Sequence, residues 1–285
     1  MNRSRVLPAR LLGRTAGGGQ AEVLYLFPEP TEPEEFRALV RPGRKLRKGA
    51  VVTLGENAAC RVVAVHSDGA RTMRFEGETK VLDLVQRLGH LPLPPYIDRA
   101  DGPLDRDRYQ TVYAQESGSV AAPTAGLHFT EDLLKTLREK GVLVYEIVLH
   151  VGPGTFARVD AEHIADHRVS PERFMVPEET ADAYAAARTS GRRVIAVGTT
   201  TVRTLESVVS NGRLTPGPGE TDLVIRPGHR FQAVDALVTN FHLPKSSLLF
   251  LVSAFAGRDT VLGAYAEAIR ARYRFYSYGD AMLIH

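Results

Sequence analysis

Two patterns of apolar spacing divide this chain. Over the first 92 residues the apolar runs have strand lengths. They are "AEVLYLF" (21–27), "AVVTL" (50–54) and "CRVVAVHSDGARTMRF" (60–75), the last reading as two strands around an Asp68-Gly69 turn. "AGGG" (16–19) marks a flexible turn. One helical spacing interrupts this region, "KVLDLVQRLGH" (80–90). It puts Val81, Leu84, Val85 and Leu88 on one face and reads Gly89 as a C-terminal stop. "LPLPPYIDRADGP" (91–103) then fits neither helix nor central strand, because Pro92, Pro94 and Pro95 lack amide donors and have fixed φ. A domain boundary belongs there, giving a β-rich region 1–92 and a second region 93–285.

Past the boundary, helical and strand patterns alternate. Thr130 is placed to cap a helix over 131–140, with Glu131 and Asp132 in its first turn and Gly141 at its end. "VLVYEIVLHV" (142–151) reads as a nearly continuous buried strand. "PEETADAYAAARTSG" (177–191) reads as helix, "RVIAVG" (193–198) as strand and "TVRTLESVV" (201–209) as helix. "ALVTNF" (236–241) is strand-like, and "TVLGAYAEAIRARY" (260–273) is an amphipathic helix. Such alternation argues an α/β architecture for residues 93–285.

Composition narrows the class. A chain of 285 residues holds one large domain or two ordinary ones, and 44% hydrophobic with 24% charged residues is globular. The single cysteine, Cys60, excludes an internal disulfide and points to a reducing compartment. No basic–apolar–small leader opens the sequence, and the apolar stretch 248–256 falls short of the ~20 residues of a membrane span. A soluble cytoplasmic protein is expected. The formal net charge of +3 is mild, but residues 37–48 concentrate Arg37, Arg41, Arg44, Lys45, Arg47 and Lys48 without an acid. That run is either a phosphate-binding surface or a solvated loop between strands.

Candidate chemistry gathers where strands give way to helices, as in other α/β sheets. "AAPTAGLHFT" (121–130) sets Thr124, a hinge at Gly126 and His128 before an acidic helix start. "LHVGPGTF" (149–156) follows His150 with Gly152 and Gly154, which let backbone approach a ligand. "VGTTTVRTLES" (197–207) offers Thr199, Thr200 and Arg203 to an anionic group. "VTNFHLPKSSLLFLVSAFAG" (238–257) sets Asn240, His242, Lys245, Ser246 and Ser247 beside an apolar run. Each has a structural alternative: a turn, a helix cap, a satisfied loop histidine. His163 and His167, four apart, could share a helical face, but "HIADH" lacks the internal glutamate of a zinc-protease helix. There is no G-x-S-x-G elbow and no G-x-G-x-x-G after a strand.

Together and in order, "AAPTAGLHF", "LHVGPGTF", "VGTTTVRTLES", "VDALVTNFHLP", "LVSAFAG" and "YRFYSYGDAMLI" resemble the S-adenosylmethionine:tRNA ribosyltransferase-isomerase family of the queuosine pathway. The front matches through "GGGQAEVLYL", "RPGRKLRKG" and "LGHLPLPPYIDR". The resemblance implies a larger α/β domain and a smaller β-barrel domain, with about the first dozen residues of 1–92 belonging to the larger one. It implies transfer and isomerisation of the ribosyl part of S-adenosylmethionine onto 7-aminomethyl-7-deazaguanine at the tRNA wobble position. The products are epoxyqueuosine in tRNA, adenine and methionine. No cofactor and no metal are implied, since S-adenosylmethionine is consumed, and no membrane partner; a monomer is compatible.

That chemistry needs a base for the carbon beside the sulfonium, help for departing adenine and a site for the methionine carboxylate. His128, His150 and His242 fall in matching blocks, and imidazole titrates nearest neutrality. His128 is the first candidate for the base or a substrate ligand. Thr124, Gly152, Gly154, Thr199, Thr200, Arg203 and Asn240 are expected at the substrate. Asp280 is expected to accept from an amino group, Tyr276 and Tyr278 to stack on a base or pack in the core, and Arg41, Arg44 and Lys45 to meet RNA.

The chain departs from the family pattern in three places. A Leu-Pro-rich segment that normally precedes "RVLPARLLG" is absent, which is expected to leave an exposed sheet edge in the larger domain. "NRSRV" replaces N-(D/N)-T-R-V, and Ser170 stands in "DHRVSPERF" where the family shows histidine. Two readings therefore stand: an active transferase, or an RNA-binding protein of the same fold with impaired catalysis.

Overall fold

The computed structural model describes all residues except 30–31, 56–57, 77–79, 95 and 157–158, so Pro95 lies outside the described residues. The chain forms two compact units, Val6–Arg106 with Ser117–Ala121, and Met1–Arg5 with Asp107–Glu116 and Ala122–His285.

The first unit is a closed six-stranded barrel of Arg10–Thr15, Gln20–Pro28, Glu35–Arg41, Arg71–Glu76, Ala58–Val65 and Val51–Gly55, in that spatial order. Each strand pairs antiparallel with its neighbour, and Arg14↔Thr53 and Thr15↔Val52 close the ring, so no edge is left for foreign strands. Alternate side chains fill it: Leu11, Val23, Tyr25, Phe36, Cys60, Val62 and Met73 are buried in one cluster. Gly13 sits at the closure, where a Cβ would come within 2.4 Å of the Thr53 carbonyl oxygen. The Asp68-Gly69 turn forms, with Gly69 at φ 85° and Asp68 Oδ1 accepting from the Ala70 amide at 3.0 Å. Burial pushes the Cys60 thiol up to about 12, so it remains protonated.

Helix α1 (Val81–Leu88) buries Val81, Leu84 and Val85 against this barrel cluster. Gly89 is not a left-handed stop: its φ is −77°. It is glycine because a Cβ would lie 1.7 Å from the Pro8 carbonyl oxygen. The Pro-rich segment is stitched into the same unit by carboxylates. Asp101 accepts from the Leu91 amide at 2.9 Å and from His90 at 2.8 Å. Arg99 grips Asp105 through two bonds of 2.6 and 2.7 Å. The short helix α2 (Pro103–Arg108) follows.

The second unit is α/β, with its strands split between small sheets. Glu172–Val176 lies between Gly217–Thr221 and Val148–Leu149, all antiparallel. Ala236–Asn240 is central in the other sheet, parallel to Ile195–Val197 and antiparallel to Ala281–Ile284. Around them run α3 (Glu131–Glu139), α4 (Glu178–Thr189), α5 (Thr199–Val208), α6 (Ser247–Ala256) and α7 (Arg258–Arg270). Thr130 caps α3 as expected, its hydroxyl accepting from the Leu133 amide at 3.1 Å. The strand expected over 142–151 shrinks to Val148–Leu149. Val142, Leu143 and Tyr145 are exposed. The Val142 amide turns back to Leu137, and residues 145–147 run beside Met1–Arg3 through a single parallel bridge, Asn2 to Ile147, instead of a full strand. His163 and His167 flank a single 3₁₀ turn, Ile164–Asp166, and share no helical face. No single helix among the described residues is long and apolar enough to cross a membrane; α6 and α7 meet at 112° across Gly257.

Asn2 is wholly buried and acts as an internal splice. Its Oδ1 accepts from the amides of Leu149 at 3.0 Å and Ser4 at 3.1 Å. Its Nδ2 donates to the Leu149 carbonyl at 3.0 Å and to Thr200 Oγ1 at 3.3 Å. Asn2→Ala strands those backbone groups and is expected to lower unfolding free energy by roughly 2–4 kcal/mol, read from urea denaturation; a loss below about 1 kcal/mol would show that water takes over its contacts.

Candidate active site

A cavity of about 330 Å³, its open mouth included, lies in the second unit. Thr124, Thr199, Thr200, Thr239, Asn240 and His242 give it a polar wall, and Ala122, Val151 and Leu248 an apolar one. Four expected blocks thus converge on one space. The strand Ile195–Val197 turns into α5 through Gly198, whose φ of 91° excludes most side chains. No side chain caps α5, so its first amides and the positive end of its dipole stand at Thr199 and Thr200 on the cavity wall. The Thr201 and Thr204 hydroxyls turn back to the Val197 and Thr200 carbonyls at 2.7 and 3.0 Å.

Of the three expected imidazoles only His242 lies in the cavity lining, His128 and His150 standing outside it, and burial lowers the pKa of each. His242 lines the cavity, Nε2 lying 2.8 Å from Thr239 Oγ1, and is pushed down to about 4. Its backbone is held through the His242 amide, which donates to Tyr265 Oη on α7 at 2.8 Å. His128 ends the 3₁₀ turn Thr124–His128. Burial is the main cause of its lowered pKa, with Arg274 adding to it and Asp280 opposing. His150 is lowered by burial and by Arg173 against Glu116, and its Nδ1 is buried without a hydrogen-bond partner. All three are therefore neutral near pH 7 and carry a lone pair.

Asn240 joins His128 to the cavity: its Nδ2 donates to His128 Nε2 at 3.0 Å and to the Tyr276 carbonyl at 3.2 Å. Asp280 accepts from the Arg274 amide at 2.7 Å and guanidinium at 3.3 Å, which lowers its pKa. It is thus ionised, tied to Arg274, and in the field of His128. Tyr276 and Tyr278 are each 36% exposed and so are not buried in the core. The Tyr278 ring also meets Tyr109, with centroids 5.8 Å apart.

Other expected residues stand differently. Arg203 presents no open fork. It is buried, paired with Glu172, and donates Nε to the Leu223 carbonyl at 2.9 Å and Nη2 to the Thr221 carbonyl at 3.5 Å. Glu172 Oε1 in turn accepts from the Gly152 amide at 2.7 Å. Gly152 and Gly154 lie outside the cavity lining, which passes instead through Val151 and Thr155. Gly126 is no hinge: it is buried, and a Cβ would meet Tyr113 Oη at 2.0 Å. Ser170 is exposed, two residues before Glu172.

In the barrel unit, Arg41, Arg44 and Lys45 are exposed and form no ion pair among the described residues. Their loop is organised by Arg71, which sequence reasoning passed over. Its buried guanidinium donates to the carbonyls of Leu46 at 2.9 Å and Gly43 at 3.0 Å. Arg37, in contrast, is engaged by Asp68 at 3.2 Å. Asn2, Glu172 and Thr239 were likewise unforeseen, since a lone buried polar residue has no spacing signature.

The family model for queuosine biosynthesis proteins matches residues 1–284. A relative from Trichlorobacter lovleyi, an S-adenosylmethionine:tRNA ribosyltransferase-isomerase, is 49% identical over 285 residues, covering 100% of this chain and 83% of the relative. One of the same name from Moorella thermoacetica is 52% identical over 290 residues, with the same shares. Among solved structures, the S-adenosylmethionine tRNA ribosyltransferase of Thermotoga maritima is 38% identical over 100% of this chain and 81% of that one, with a TM-score of 0.49.

Arg203→Ala leaves Glu172 buried and uncompensated, and a loss of roughly 3–5 kcal/mol in chemical denaturation is expected. The His242 shift has a definite sign. Unfolded histidine gains its proton near 6.5, whereas folded His242 waits until about 4. Its contribution is full above pH 6.5 and lost as pH falls through that window, where the unfolded state holds the extra proton. His242→Gln should flatten the fall of Tm between pH 6.5 and 4; an unchanged slope would remove His242 as its source.

Proposed function

Because the chain belongs to the queuosine biosynthesis protein family, we propose that the cavity on α5 and the strand Ala236–Asn240 is where it transfers and isomerises the ribosyl moiety of S-adenosylmethionine onto tRNA. Ribosyl transfer with isomerisation, within queuosine biosynthesis, is its activity. The observation that carries the location is the meeting of the α5 N-terminus, Asn240 and His242 on one wall.

The reaction takes a proton from carbon beside a sulfonium, releases adenine and needs a neutral amine as nucleophile. Neutral imidazoles suit it: a lone pair accepts the proton, and a ring N–H hydrogen-bonds the departing base. His128 and His242 are assigned to these two tasks, and His150 supports the wall through its neighbour Val151. The uncapped amides of Thr199 and Thr200 receive the methionine carboxylate at the positive end of the helix. Arg203, already engaged, supports α5 from behind. Asp280 accepts from an amino group of the substrate, and Tyr276 and Tyr278 offer ring faces to an unstacked base. The acceptor is tRNA bearing 7-aminomethyl-7-deazaguanine, with Arg41, Arg44 and Lys45 on its phosphates. S-adenosylmethionine is consumed, and the scheme requires no resident cofactor or metal. It suits a monomer in the cytoplasm.

Incubation with S-adenosylmethionine and the modified anticodon stem-loop should release adenine; binding without release would favour the catalytically impaired reading. His128→Ala and His242→Ala should each lower turnover by ~10²–10⁴-fold, and a loss of tenfold or less would make that residue scaffolding. Arg44→Ala with Lys45→Ala should weaken tRNA binding and reduce the salt slope by about 1 per lost phosphate contact. An unchanged slope would move the RNA contact elsewhere.

A further inference from the structure

Two imidazoles, His128 and His242, serve two tasks, and the Asn240 amide separates them. Asn240 is 2% exposed. One partner of its side chain is the Tyr276 carbonyl oxygen, at 3.2 Å. A carbonyl only accepts, so the amide atom facing it is the nitrogen, and the amide orientation follows from that chemistry. The same nitrogen faces His128 Nε2 at 3.0 Å. Nε2 therefore accepts, which requires a lone pair there and places the ring proton of a neutral imidazole on Nδ1.

The opposite states are both disfavoured. A proton on Nε2 would set N–H against N–H. Turning the amide over would relieve that but point Oδ1 at the Tyr276 carbonyl. Tyr276 is itself held firmly: its φ is 73°, rare for a bulky residue. Its amide donates to the Phe241 carbonyl at 3.1 Å, and its carbonyl also accepts from the Gly279 amide at 3.1 Å. The charged groups facing the ring are Asp280 and Arg274, of opposite sign. His128 Nδ1 has no protein partner among the described residues, and it is not among their fully buried unpaired atoms.

We propose that His128 acts as a neutral hydrogen-bond donor through Nδ1–H to an unprotonated ring nitrogen of the purine leaving group, with Asn240 as the positioning residue that holds this tautomer. His242 is then the proton acceptor. The assignment rests on the cavity being the S-adenosylmethionine site. Asn240 Oδ1, buried without a partner, is what the arrangement forgoes to keep its nitrogen on both acceptors.

The test is a long-range ¹H–¹⁵N correlation spectrum of the full chain labelled with ¹⁵N in histidine and threonine, with a one-bond spectrum for the threonine amides, before and after addition of S-adenosylmethionine alone. His128 should show a protonated Nδ1 and a bare Nε2, and its Nδ1–H signal should move on addition of ligand. An Nε2–H tautomer in the unsubstituted protein overturns the proposal without any variant being needed. If the Thr199 and Thr200 amides respond while His128 does not, the site stands and the donor role falls; if neither responds, both fall. Asn240→Asp turns a carboxylate toward Nε2 and should shift His128 to the Nε2-protonated or doubly protonated form, with kcat lowered about tenfold or more and KM little changed. An unchanged His128 tautomer in that variant also overturns the proposal.

Discussion

The cavity depends on an ion pair that takes no part in its wall. Glu172, at the start of a central strand, and Arg203, in the second turn of α5, are both buried and face each other. Removing two charges from water is costly, and direct attraction repays it only when the remaining donors and acceptors are satisfied. Here they are: Gly152 supplies an amide to the carboxylate, and Leu223 and Thr221 supply carbonyls to the guanidinium. The pair therefore ties the glycine loop after His150, the strand Glu172–Val176 and α5 into one unit. Asn2 fastens the same helix from another side through Thr200. With α5 fixed at these points, its uncapped first turn can face open space without collapsing onto neighbouring side chains.

Electrostatics around this frame favour neutral bases and a fixed anion site. Burial lowers the pKa of His128, His150 and His242, so none carries charge near neutrality. A cationic ligand such as a sulfonium thus meets uncharged rings instead of imidazolium charge. Asp280 stays ionised because the Arg274 amide and guanidinium stabilise its charge. The strained backbone at Tyr276 belongs to the same design, since it delivers the carbonyl that orients Asn240.

The barrel unit solves a different problem. Closing six strands removes every edge, and the loop after Glu35–Arg41 projects cations that no carboxylate among the described residues neutralises. Arg71 makes this possible by donating to the carbonyls of Gly43 and Leu46 from within. The backbone's own oxygens serve as its counter-groups, so the exposed cations above remain available to a polyanion.

The linear pattern alone determined a great deal. Apolar runs of strand length gave four of the six barrel strands, missing Arg10–Thr15 and Glu35–Arg41, and the spacing of Val81, Leu84 and Val85 gave α1. Thr130 gave the start of α3, while the grouping of Thr124, Thr199, Thr200, Asn240 and His242 came from the family resemblance of the ordered blocks and not from spacing. The strands, α1 and the α3 cap were legible because local periodicity and capping act over a few residues. Only tertiary structure decided the rest. The run 142–151 is apolar enough for a strand, yet only Val148–Leu149 form one, because Val142 turns back to Leu137 and Ile147 makes only an isolated bridge to Asn2. Gly89 and Gly126 read as a stop and a hinge but are glycine because the Pro8 carbonyl and the Tyr113 hydroxyl approach too closely for a Cβ. Arg203 looked free for an anion until a glutamate 31 residues away claimed it. Which nitrogen of His128 bears the proton is set by a carbonyl 36 residues from Asn240. Hydrogen-bond partners at such separations leave no trace in local spacing, because folding, not sequence proximity, brings them within bonding reach.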